Sequence, residues 1–133
     1  MKTIKLDTGV VSYRLGEGVL RFNPGDPNVY VRFSQAVEKL QSTEQEMSAA
    51  LSAPGADVLA VMEQTDRAIK QLLSWVFGPG NDFDTMLGGD NLLAVTADGQ
   101  RLANRLFSAL EPILLEGARR CAEGQARALK DHA

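Results

Sequence analysis

Three carboxylates, Asp82, Asp84 and Asp90, lie close together in the glycine-rich stretch GPGNDFDTMLGGDN (residues 78–91). Clustered hard oxygen donors are the raw material of a calcium or magnesium site. A calcium loop opening at Asp82 would need glycine at its sixth position and a bidentate glutamate at its twelfth, where the sequence has Leu87 and Leu93. The EF-hand pattern fails. A looser Mg²⁺ site competes with helix capping and solvation, and no metal ligand is assigned. Phosphate cradles fail as well: Gly16-Glu17-Gly18 is not completed to G-x-G-x-x-G, since position 21 is Arg21, and no glycine loop ends in Gly-Lys-Ser/Thr. Cys121 is the sole cysteine and His132 the sole histidine. One cysteine rules out an intrachain disulfide and a cysteine-based zinc site. A nucleophile–base pair built on the penultimate residue would lack the rigid orientation that covalent catalysis requires. We therefore expect no enzyme, no catalytic residue and no cofactor. The remaining candidates are large apolar side chains. Trp75, Phe77, Phe83, Met86 and Leu87 gather at a helix end and the loop after it, a candidate partner-binding patch. The competing reading is that the loop folds back and caps the helices.

The elements that must position these groups follow from composition and periodicity. A chain of 133 residues with 44% hydrophobic content is the size of one domain with a real core. The net charge of −3 argues against a dedicated nucleic-acid binder. The charge is uneven: residues 33–98 hold three Lys/Arg against ten Asp/Glu, while residues 1–32 and 99–133 each carry +2. The acidic middle and basic end either pair between copies or with a partner, or are solvated helix faces. No stretch has the length of a signal-peptide core or a membrane span, so a cytoplasmic protein without membrane association is expected.

Residues 2–22 read as a small β-unit, with TIKL, VVSYRL and VLRF as two or three short antiparallel strands separated by turns at Asp7-Thr8-Gly9 and Gly16–Gly18. Such a unit needs something to pack against. Asp26-Pro27 supplies an N-cap and first helical position. From there Tyr30, Phe33, Val37, Leu40, Glu44, Met47 and Leu51 recur at three- and four-residue spacings, predicting a first helix over 26–52. Pro54-Gly55 interrupts and Asp57 can cap a second helix over 57–77, whose stripe is Val58, Met62, Thr65, Ile69, Leu72 and Val76, widened by Leu59, Leu73 and Phe77. The short connection predicts an antiparallel αα-hairpin. Gly78-Pro79-Gly80 stops the second helix, and Phe83, Met86 and Leu87 suit one helical turn inside the 78–91 loop. Residues 92–130 form a C-terminal helical region on Leu102, Leu106, Leu110, Ile113 and Leu114, kinked or restarted at Pro112 and thinning beyond Gly117. The fold class is mainly α: a β-unit, a long αα-hairpin and a C-terminal helix in a single domain, 1–133.

Three segments, FNPGDPNVYVRF (22–33), WVFGPG (75–80) and TMLGGDNL (85–92), together resemble the tail assembly chaperone-like proteins of long-tailed phages and prophages. The resemblance spans residues 3–115. It departs from the pattern at Leu87, where an aromatic is expected, and in the long basic C-terminal end. It implies a small, mainly helical, self-associating protein of the bacterial host cytoplasm that binds the phage tape measure protein and keeps it soluble until tail tube subunits polymerise. The tail tube protein is a second partner, no nucleic acid or membrane is involved, and the protein would be absent from mature virions. Two other classes stay open: a structural tail component, and a small helical adaptor or inhibitor of a host protein.

Overall fold

The computed structural model describes residues 1–131; His132, and with it the Cys121–His132 pair, lies outside the described residues. The fold is organised by the joint at residues 22–27. Asn23 folds the turn, its Oδ1 accepting the Gly25 N–H at 2.9 Å and its carbonyl accepting the Asp26 N–H at 3.1 Å. Asp26 then caps helix α1 (Pro27–Ser52), its carboxylate accepting the Asn28 N–H at 2.9 Å. The Pro54-Gly55 connection leads to α2 (Val58–Phe77), capped by Asp57 on the Ala60 N–H. Arg32 donates to the Val76 carbonyl and Lys39 lies over Trp75, while Met47 shares a depression with Val61. Early α1 thus meets late α2 and the reverse, as an antiparallel hairpin requires.

The buried face of α1 is centred on Val29, Phe33 and Ala36, flanked by Tyr30 and Leu40. Val37, expected in the stripe, is instead exposed. Glu44, the one polar break in that row, is explained by an ion pair to Arg101 at 2.6 Å. On α2 the core face runs Thr65, Ile69, Leu73, Val76 and Phe77, but it also buries Asp66 and Lys70. Val58 and Leu59 are exposed at the hairpin tip.

Two strands form, β1 (Val11–Leu15) and β2 (Gly18–Phe22), antiparallel with Val11↔Phe22 and Leu15↔Gly18 in register. TIKL adds no third strand. Residues 1–10 lie outside the sheet, although an Asp7-Thr8-Gly9 turn is present, with the Gly9 N–H on Asp7 and φ +74° at Gly9. The hairpin docks through an aromatic series in which Tyr13 stacks on Phe22, Phe22 meets Phe77 edge-on at 4.7 Å, and Phe77 lies 5.8 Å from Phe83.

The 78–91 loop contains α3 (Phe83–Met86). Residues 92–101 are not helical: Val95 and Arg101 form an isolated bridge around the Asp98-Gly99 turn. The last helix, α4, runs Leu102–Asp131 without interruption, with Pro112 inside it. The helix does not restart there. Pro112 is solvent-facing and forfeits a single i→i−4 bond, while Leu106, Leu110 and Leu114 hold the opposite face in the core. Gly117 is buried against the joint, where an added Cβ would overlap the Pro24 carbonyl. Beyond it, nearly every side chain is exposed. Among the described residues no helix is long and apolar enough to cross a membrane.

Candidate partner-binding surface

Two of the three carboxylates that invite a metal reading are committed elsewhere, and Asp90 enters only through its main-chain carbonyl. Asp82 caps α3, accepting the Asp84 N–H at 3.0 Å and the Thr85 N–H and hydroxyl at 3.3 and 3.0 Å. The Thr85 N–H, then its hydroxyl, hold the Asp82 carboxyl below its ordinary value. Asp84 accepts from Lys70 Nζ at 2.6 Å, and the same ammonium donates to Asp66 at 2.9 Å and to the Asp90 carbonyl at 2.8 Å. Lys70 and Asp66 are only 6% and 7% exposed. Burial by itself would lower the Lys70 pKa. Its hydrogen bonds to Asp84 and Asp66, with their charges, outweigh that and raise it above 10.5. A protonated amine with all three hydrogens committed has no lone pair to act as nucleophile or base. Asp66 completes the network by accepting the Leu92 N–H at 2.8 Å.

Asn81 is the second anchor of this region. Its side chain accepts the Arg21 N–H and donates to the Arg21 and Phe77 carbonyls, each at 2.9 Å, while its own carbonyl accepts from Ser74. Glu17 N–H donates to the Met86 carbonyl at 2.9 Å, and Gly16 and Gly18 let the hairpin close onto Met86. The glycine-rich region is a clasp that fastens the β-hairpin to the end of α2. Sequence signals for it existed in Asn81 after the Gly-Pro-Gly stop and in Asp66 and Lys70, four residues apart beside the α2 stripe, but each is ordinary alone.

This arrangement corrects the apolar patch read from sequence. Phe77, Phe83 and Met86 are core residues, with Phe83 fully buried. Leu87 is half-buried against the same core. The loop folds back and caps the hairpin because Phe83 and Met86 fill the space between β2 and α2. Of the five residues only Trp75 is an exposed side chain, with the Lys39 ammonium 4.8 Å above its ring. No family model, curated protein or solved structure matches this chain.

Another apolar surface emerges where sequence reasoning placed core. A groove of about 320 Å³ runs between α1 and α4, floored by Phe33 and Leu114 and walled by Tyr30, Val37 and Leu115. Val37 and Leu115 remain 39% and 48% exposed, and Glu38 and Glu111 stand at the rim. Neither glutamate has an ion-pair partner among the described residues. An apolar trough with free acids at its edge fits a helix carrying apolar anchors flanked by Lys or Arg. Nothing in the spacing of Val37 separates it from its buried neighbours, so this groove was not legible beforehand.

Proposed function

We propose that the protein is an assembly chaperone of the phage-tail type, which holds the tape measure protein soluble during tail morphogenesis. The observation that carries this reading is the α1/α4 groove. A long helical protein awaiting assembly exposes apolar stripes, and a small helical protein with a solvent-open apolar trough can cover such a stripe reversibly. The free carboxylates of Glu38 and Glu111 select stripes flanked by basic residues and keep the covered complex hydrated. The FNPGDPNVYVRF segment that carries part of the resemblance opens α1, and Gly78, Gly88 and Gly89 of the clasp take positive φ. Co-expression with the tape measure protein of the same genome tests the proposal. The soluble fraction of that protein should rise with the wild type and fall back with Val37→Glu/Leu115→Glu, whose sites are already exposed. Equal solubility with and without the wild-type protein overturns it.

A further inference from the structure

The two edges of the β1–β2 hairpin are finished differently. In the observed register, Val11↔Phe22, Tyr13↔Leu20 and Leu15↔Gly18 are the hydrogen-bonded pairs. The main-chain groups of Val19 and Arg21 therefore face out along one edge, and those of Ser12 and Arg14 along the other. The β2 edge is sealed at Arg21 by the Asn81 carboxamide, which bonds both its N–H and its C=O as a neighbouring strand would. Among the described residues nothing bonds the outward groups of Ser12 and Arg14. An open strand edge is a template for pairing.

Residues Thr3–Leu6 have the composition of a strand and lie outside the sheet. Ile4 and Leu6 are 90% and 78% exposed. If this segment lies antiparallel to β1 with Thr3 opposite Arg14 and Lys5 opposite Ser12, two requirements are met together. Thr3 and Lys5 then exchange main-chain bonds with the two open residues, while Ile4 and Leu6 fall beside Tyr13 and Val11 on the hairpin's apolar face. A shift of two residues one way would set Lys5 opposite Arg14, a like-charge pair, and a shift the other way would set Leu6 opposite Gly9 and cost it its apolar neighbour, which together select this register. The chain's own segment does not occupy the edge. Its reversal point is held beside the far strand, where Asn23 Nδ2 donates to the Thr8 carbonyl at 2.7 Å and Asp7 closes on the Gly9 N–H. We propose that Thr3–Leu6 of one copy adds to the Ser12/Arg14 edge of a second copy, and that reciprocal exchange closes a two-fold dimer with residues 7–10 as the hinge.

Sedimentation velocity of the full chain over a concentration series is the first test, with a dimer expected for the wild type. Ile4→Glu/Leu6→Glu alters two exposed side chains, and Ser12→Pro removes only an outward N–H, which an edge strand tolerates. Both should sediment as monomers with unchanged far-UV circular dichroism. In a Cys121→Ser background, separately prepared Leu6→Cys and Val11→Cys proteins should form a mixed disulfide on oxidation. A wild type that stays monomeric overturns the proposal, as does a dimer indifferent to Ile4→Glu/Leu6→Glu. So does a mixed-disulfide yield no greater than that of Leu6→Cys with Ala97→Cys.

Discussion

Replacing Lys70 with methionine keeps a long, unbranched side chain and deletes the charge at the centre of the clasp. Three contacts vanish, to Asp66, Asp84 and the Asp90 carbonyl. They are unequal. The Asp84 side chain is 63% exposed, so its ion pair contributes well under 1 kcal/mol. Asp66 is buried, and stripped of its partner it becomes an uncompensated interior carboxylate, a change that costs about 3–5 kcal/mol. The Leu92 N–H still solvates that carboxylate, which points to the lower end, about 3 kcal/mol, and a fall of roughly 10 °C in Tm. Urea unfolding followed by far-UV circular dichroism reads the difference, with Asp84→Asn as a companion expected to lose less than about 1 kcal/mol. The pH dependence supplies a second signature. Because the folded-state pKa of Lys70 is raised, its contribution is complete below 10.5 and is lost as pH rises through the folded value. The gap between wild type and Lys70→Met should thus be constant near neutrality and narrow above about pH 10.5. If Lys70→Met costs no more than Asp84→Asn, the clasp is held by packing alone and the argument from the buried network is wrong.

Asn81→Ala should cost about 2–4 kcal/mol, because the Arg21 N–H and the Arg21 and Phe77 carbonyls lose their partner together. Faster amide exchange at Arg21 would locate the loss. Gly117→Ala should destabilise by more than about 2 kcal/mol, since the new methyl would overlap the Pro24 carbonyl. Gly124→Ala, on an exposed stretch of the same helix with open space around it, should stabilise by roughly 0.5–1 kcal/mol in the same thermal melt. Asp26→Ala should cost about 1 kcal/mol through loss of the α1 cap and leave partner binding unchanged in a pull-down. On the proposed function, Glu38→Gln/Glu111→Gln should flatten the salt dependence of tape measure binding while keeping the apolar anchor; an unchanged salt slope would place the binding surface elsewhere.

The helical hairpin was legible because capping, breaking and apolar periodicity agree along it. Asp26-Pro27, Pro54-Gly55, Asp57 and Gly78 each act as local chemistry dictates, and the helix bounds follow. Propensity failed where it had no tertiary support. TIKL has strand composition but no hydrogen-bonding neighbour within its own chain, so it forms no strand. Pro112 does not restart the helix: a buried face on Leu106, Leu110 and Leu114 carries it past the missing bond, which faces solvent. Phe83, Met86 and Leu87 of the 78–91 loop were misread because apolar side chains beside glycines carry no sign of which way the loop folds. That direction is set by Asn81 and Lys70, through partners 60 and up to 20 residues distant.

Charge tells a related story, and it bears on what the surface can recognise. Read as composition, residues 33–98 are a strongly acidic block facing a basic C-terminal stretch. In the fold much of that contrast is consumed within one chain. Glu44 pairs with Arg101, Asp98 with Arg105, and Glu63 with Arg67, while Asp66 and Asp84 share Lys70 and Asp57 and Asp82 cap helices. A block charge therefore overstates the field available to a partner. Of the acids left without an ion pair among the described residues, Glu38 and Glu111 border the α1/α4 groove. Coulomb attraction there is strongest within about one Debye length, about 8 Å at physiological salt. If the groove takes a partner helix as proposed, selection acts through the few residues that border each apolar anchor, and a partner's net charge should matter less than whether Lys or Arg falls one turn from that anchor.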